Sequence, residues 1–427
     1  MALSACGALD IFGDDEEPLP GDRISVLSLE EGIQPDPSVS DVEIRLPPPF
    51  LNETWPQAGG NAKHVLYHLA LSENPQSLWR ADIGEGGSYD AYLLAQPVVA
   101  EGRAYTLDAR TNVKAIDVDS GREVWEVDLE IEDEDDGFFG GGVAYSDGRI
   151  YVSTGFAYVF ALDAATGEEL WRARVPAPMR AAPTVDEGRV YVITVDNQTH
   201  AIDATEGNVI WTHRGIQETA GLVGGSSPAV DASTVVSTYS SGEIYALRAE
   251  NGRELWSDTL TSIQRVNPIA DLPDIQGNPV IDRGVVFAVS NSRRMVAIDL
   301  RRGARAWDIQ LGGVQMPWVG GNFIYQLTTQ QQLVALTRQD GRVVWVQDLP
   351  RYEDPEDEED PISWYGPVLA EDRLIVASST AEAWSVSPYD GRVLGKVDLP
   401  GPAAVSPIVV GGAVYFLTDN ARLAKFR

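Results

Sequence analysis

Through most of its length the chain alternates short apolar runs with polar, glycine-bearing turns, and no lengthy helical period is visible. Runs such as Gly148–Gly155 (GRIYVSTG) and Gly188–Thr194 (GRVYVIT) alternate apolar and polar positions and are rich in β-branched and aromatic residues. That pattern predicts half-buried strands. Upstream of such runs lies another short apolar run, in several units after a proline, as in Pro97–Ala100 and Pro183–Val185, and it predicts another strand. A third strand then ends in a turn of the form AxDxxxG, and a fourth carries a tryptophan. The Asp can accept hydrogen bonds from the backbone just ahead of it, and the Gly supplies a positive φ without steric cost. The tryptophan's bulk suits a groove between neighbouring sheets.

This unit recurs at Ala115–Trp125, Ala161–Trp171, Ala201–Trp211, Ala246–Trp256, Ala297–Trp307 and Ala335–Trp345, with a copy at Ser385–Gly395 that has lost its tryptophan. Its glycines, Gly121, Gly167, Gly207, Gly252, Gly303, Gly341 and Gly391, lie 38 to 51 residues apart. Four strands in about 40–45 residues make one blade of a β-propeller. The seven copies place blades at roughly 96–129, 142–175, 182–215, 227–260, 278–311, 316–349 and 366–399. Three further strand-like runs, around Val405–Val410, Ala413–Thr418 and Arg422–Phe426, lack a fourth. Leu78–Ile83 (LWRADI) resembles Leu170–Val175 (LWRARV) and is expected to supply it. The expected fold is therefore all-β, an eight-bladed propeller closed by an N-terminal strand, which leaves few exposed sheet edges.

Composition limits what such a ring can bind. The 427 residues could fill two or three average domains, but the repeat takes about 350 of them into one ring. A hydrophobic fraction of 44% is ample for a packed core. The net charge of −32 argues against nucleic acid, whose affinity comes from cations meeting phosphates, and against an electrostatic grip on anionic lipid. Two acidic runs, Glu130–Asp136 (EIEDEDD) and Glu353–Asp360 (EDPEDEED), both follow a tryptophan-bearing strand and so fall on one face of the disc. They read as solvated, self-repelling loops, or as an attractor for a basic partner surface. Neither has the spaced oxygens and central Gly of an EF-hand.

The single cysteine is Cys6, in Leu3-Ser4-Ala5-Cys6, a lipobox-like tetrapeptide with only five residues ahead of the cysteine. Lipidation of Cys6 is expected, with acyl chains holding the protein on a membrane surface. The expected organisation is 1–6 as a lipobox and signal remnant, 7–60 as a flexible acidic tether and extended segment, and 61–427 as the propeller.

Little points to catalysis. The histidines are His64, His68, His200 and His213. His64 and His68 are four apart but lack an intervening Glu and an evident third ligand, so a surface turn is expected there and no metal site. No G-x-S-x-G occurs to supply a nucleophile. Gly140–Gly142 and Gly224-Gly225 lack the strand–loop–helix setting of a phosphate loop.

The repeat AxDxxTGxxxW resembles that of pyrroloquinoline quinone (PQQ) enzymes, and Trp55–Asn61 (WPQAGGN) looks like the segment preceding the first blade in that superfamily. Together with the lipobox, the tether, eight repeats and no cysteine pair, the whole chain resembles the BamB family, lipoprotein subunits of the complex that inserts β-barrel proteins into the bacterial outer membrane. The resemblance implies a scaffold without enzymatic activity or cofactor, lipid-anchored at the periplasmic face of the outer membrane. Its partners would be the POTRA domains of BamA and nascent outer-membrane β-barrel proteins. Docking would use two inter-blade loops, Gly215–Ser227 and Thr261–Asn278. In the first, Leu222 falls at an apolar contact position and Val223 replaces an expected arginine. In the second, Asp274 matches a contact aspartate and Gln276 stands in place of another. The other class of reading is a PQQ-dependent periplasmic dehydrogenase with the quinone in the central channel, although the adjacent cysteines of the alcohol-oxidising branch are missing. An adaptor for some other envelope complex shares the scaffold physics and differs only in partner.

Overall fold

A computed structural model describes residues 33–129, 131, 140–218, 221–261 and 272–427. Eight four-stranded antiparallel sheets follow one another around a ring. The first blade is built from Val98–Ala100, Arg103–Leu107, Asn112–Asp117 and Glu123–Asp128. The next six span 141–174, 184–214, 229–259, 280–309, 318–348 and 364–398. First strands are short and buried and touch the first strands of neighbouring blades, so they form the inner wall. Fourth strands, such as Glu123–Asp128, are the most exposed and form the rim. The eighth blade takes Ile408–Val410, Ala413–Thr418 and Arg422–Phe426 from the C-terminus and Ser77–Asp82 from the N-terminal side. Trp79 pairs with Lys425 and Arg80 with Ala424 in that antiparallel closure, as the sequence pattern predicts.

The repeat motif builds the seams between blades. The Trp211 indole Nε1 donates to the carbonyl of Ala249 in the next blade at 2.9 Å. Beneath that indole lies Gly252, at φ +70°, where a Cβ would sit 2.6 Å from the ring. The same lock joins Trp79 to Val118, Trp125 to Ala164, Trp171 to Ala204, Trp256 to Leu300, Trp307 to Arg338 and Trp345 to Pro388. The turn glycine is therefore required twice, for its φ and for the flat surface it offers the preceding indole. The remaining seam accounts for the missing tryptophan. In the eighth blade the third and fourth strands are separate ends of the chain, with no glycine turn between them. A tryptophan at position 395 would have nothing to stack on, and a Cβ at Gly395 would meet no atom within 4 Å. Gly252→Ala should destabilise the ring by about 1–3 kcal/mol more than Gly148→Ala. Gly148 has φ +76° but open space around it, so only the backbone strain is shared. Urea midpoints of the two variants check this.

One end of the channel is closed by the segment 50–72, which bonds to each blade in turn. Gly411 donates to Asn52 in the eighth blade, and Trp55 and Val99 exchange backbone bonds of 2.7 and 2.8 Å in the first. Tyr145 of the second blade donates to Pro56, and the Gln57 side chain pairs with both backbone groups of Val185 in the third. Val230 and Ile281 donate to Ala62 and Lys63, the Trp318 indole donates to Tyr67, and Leu69 bonds Leu369 and Glu371. Ser72 returns to Gly412 in the eighth blade. Most of these contacts fall where first strands run into their first turn, so the collar closes the face opposite the blade-to-blade loops. Trp55, fully buried, stacks on Trp318 at 6.4 Å.

His64 and His68 belong to this collar and are buried, not on a surface turn. Their Nδ1 atoms bond the carbonyls of Pro279 and Pro47 at 2.8 and 2.7 Å. The His68 Nε2 accepts the Asp372 amide at 3.0 Å. Burial pulls the His64 pKa from 6.5 down to about 4, only partly offset by the bond to Pro279. Because the folded pKa is the lower one, the stability due to neutral His64 is intact above pH 6.5 and is lost as pH falls towards 4. Its Nε2 meets no partner among the described residues, so a proton added there would have no acceptor. A His64→Gln variant should therefore lose less stability between pH 7 and pH 4 than the parent, as measured by denaturant midpoints.

Candidate functional site

Each blade hands the chain to the next through a loop on the face away from the collar. The loop between the third and fourth blades follows the strand Val209–Arg214 and ends before Ala229–Asp231; residues 219–220 within it lie outside the described residues. The loop between the fourth and fifth blades is described from residue 272 onward, so Thr261–Asn278 is seen only in part.

Where the two loops meet, the second grips the first by its backbone. The Leu222 amide donates to Asp274 Oδ2 at 2.8 Å, and its carbonyl accepts from Arg180 Nη1 at 3.0 Å. Gln276 Nε2 donates to the Val223 carbonyl at 2.8 Å, and the Ser227 amide donates to Asn278 Oδ1 at 2.8 Å. The four positions singled out by the resemblance, Leu222, Val223, Asp274 and Gln276, thus form two hydrogen-bonded pairs, Leu222 with Asp274 and Val223 with Gln276. Their exposures differ. Asp274 is buried at 4%, Leu222 is half-buried, and Val223 is 49% exposed. Burial pushes the Asp274 pKa up, opposed by the Leu222 amide and by the Arg180 guanidinium. A carboxylate so placed is costly unless hydrogen-bonded, and the bond it accepts fixes the loop.

Beside this contact lies a cleft of about 210 Å³, with Arg180, Asn197, Leu222, Tyr239, Ser240 and Asp274 among its lining residues. Arg180 and Asn278 carry no sequence signal of their own. Arg180 reaches its loop partner across 42 positions, a distance no local pattern reports. Chemically the cleft suits binding, with hydrogen-bonding groups beside apolar ones. Burial raises the Tyr239 pKa, which keeps the phenol neutral. Among the described residues no three His, Cys, Asp or Glu side chains are placed to hold a metal ion.

The other marked features lie elsewhere. Cys6 falls outside the described residues, and so does the run 130–136 apart from Ile131. The run Glu353–Asp360 forms an exposed two-stranded hairpin, Tyr352–Asp354 with Glu359–Pro361, between the sixth and seventh blades.

Residues 109–347 match the family model described as "Outer membrane protein assembly factor BamB". The BamB of Escherichia coli K12 is 32% identical over 336 residues, covering 77% of this chain and 82% of that protein. The chain belongs to the BamB family. The BamB of Alkalilimnicola ehrlichii is 35% identical over 354 residues, covering 82% of this chain and 88% of its own length. Among solved structures, BamB from Moraxella catarrhalis superposes with a TM-score of 0.70 at 17% identity, covering 83% of this chain and 99% of that one. A quinohemoprotein alcohol dehydrogenase from Comamonas testosteroni gives 0.64 at 15% identity, covering 87% and 80%. At those identities the structural likeness speaks for the fold, and the propeller is shared by scaffolds and enzymes alike.

Proposed function

We propose that this protein is a non-enzymatic scaffold of the outer-membrane β-barrel assembly machinery, docking on the POTRA domains of BamA and assisting insertion of nascent β-barrel proteins. The observation that carries this reading is the loop 215–227. Its backbone groups at Leu222, Val223 and Ser227 are taken up by side chains of the ring, while Val223 is turned to solvent. These three positions are held before the partner arrives, so little entropy is lost there on docking. Asp274 acts from beneath, holding Leu222, and Gln276 holds Val223. Membership of the BamB family supports the choice of partner.

Lipidation of Cys6 would keep the ring at the periplasmic face of the outer membrane, and neither nucleic acid nor an anionic lipid surface suits a charge of −32. Co-purification from gently solubilised membranes tests the reading: BamA should accompany the wild-type chain. Cys6→Ala should move the protein from the membrane to the soluble fraction without altering the ring's melting temperature. Recovery of the chain without BamA, or with a different envelope complex, contradicts the proposal.

A further inference from the structure

The docking loop is held at a second point in the same manner. The Ile216 amide donates to Glu243 Oε2 at 2.7 Å, and its carbonyl accepts from Asn197 Nδ2 at 2.6 Å. Just before it, the Gly215 amide bonds the Asn197 carbonyl at 2.8 Å. Glu243 is only 7% exposed, and Ser241 Oγ and the Tyr245 hydroxyl also donate to it, at 2.8 and 2.7 Å. Asn197 is equally enclosed, and its Oδ1 accepts from the Ser240 amide and hydroxyl at 3.2 and 3.0 Å. With both backbone groups of Ile216 engaged, its side chain stands 60% exposed.

A single exposed isoleucine is ordinary. Two apolar residues in one loop held by the same construction are not. At Leu222 a buried carboxylate takes the amide and a long polar side chain takes the carbonyl; at Ile216 the same pair of roles recurs with different residues. Asn197 from one grip and Asp274 and Arg180 from the other line one cleft, so the two grips border the same space. Burying a carboxylate is costly. At Glu243 that cost is met by three donors, one of which is the Ile216 amide.

We infer that the docking surface extends to Ile216, with Glu243 and Asn197 as positioning residues, and that it receives an apolar projection of the partner beside the cleft. The inference rests on the docking reading above. Ile216, Leu222 and Val223 are uncharged positions on a chain of net charge −32, so this contact should be weakly dependent on salt, unlike docking through the acidic hairpin.

The test is titration of the full chain with the purified POTRA region of its own BamA, at low and high salt. Ile216→Asp should weaken binding by roughly tenfold or more, with an unchanged melting temperature, and the wild-type affinity should move little with salt. Glu243→Ala should weaken binding and speed hydrogen exchange at the Ile216 amide, while Glu243→Gln, which keeps an acceptor oxygen, should restore both. Loss of binding in Leu222→Asp beside full binding in Ile216→Asp overturns this inference and spares the docking reading. A wild-type chain that does not bind BamA sinks both. If Glu243→Ala does not fold, the surface variant Ile216→Asp still decides.

Discussion

Trp55→Ala is expected to lower the unfolding free energy by about 3–5 kcal/mol, the range for deleting a large aromatic side chain from a core. The residue is fully buried, and its indole Nε1 bonds Gln96 Oε1 at 3.2 Å while the ring faces Trp318. Its backbone is paired in both directions with Val99. The neighbouring walls are sheets fixed by their own ladders and by the collar, so the space left by the indole cannot collapse. Gln96 would also lose a donor, although the Gly59 amide still reaches it at 3.0 Å. Leu51→Ala, in the same segment but 55% exposed, should change stability by less than about 0.5 kcal/mol. Denaturant unfolding of the two variants separates a collar that closes the ring from one that merely lies on it.

Asp274→Ala should act on docking far more than on folding. The bond from Leu222 to Asp274 has a charged acceptor, and such bonds contribute about 1.5–3 kcal/mol. Its loss also removes the negative partner of Arg180, which holds the carbonyl of the same residue. If that order is what the partner meets, BamA binding should weaken by roughly ten- to a hundredfold. The melting temperature should shift by only about a few degrees, because the contact serves a loop and no blade. Asp274→Asn keeps an acceptor oxygen in the same place and should bind nearly as well as the parent. Equal losses in Ala and Asn would mean that the carboxylate's charge, and not its acceptor oxygen alone, is what docking needs.

The sequence carried the ring plainly because each blade repeats the same local chemistry. Asp203 Oδ1, for example, accepts from the amides of Thr205 and Glu206 at 2.8 Å each, and Gly207 follows at φ +76°. Closure was legible too, since Leu78–Ile83 keeps the pattern of a fourth strand after its turn has gone. The missing tryptophan at 395 was visible, but its reason lay in the neighbouring blade. The collar was hidden. Residues 50–72 have no period, and their bonds reach partners as far apart as Val99 and Gly412. His64 and His68 misled for the same reason: their burial is set by the blades that close over them, and nothing in a four-residue spacing reports that.

At the proposed docking site the family resemblance pointed to four residues, and the fold gave them unequal roles. Asp274 and Gln276 turn inward to hold a loop, and Val223 turns outward. The gripping side chains Arg180, Asn197 and Glu243 come from other turns and strands and converge only in three dimensions.

On the proposed function, this ring works by presenting its loop 215–227 to BamA. The most direct measurement is equilibrium binding of the purified BamA POTRA region to the wild-type chain and to Leu222→Asp, with melting curves of both. The account predicts binding to wild type, loss of binding in Leu222→Asp, and matching melting temperatures. A wild-type chain that does not bind, or a Leu222→Asp variant that binds as well as wild type, contradicts it.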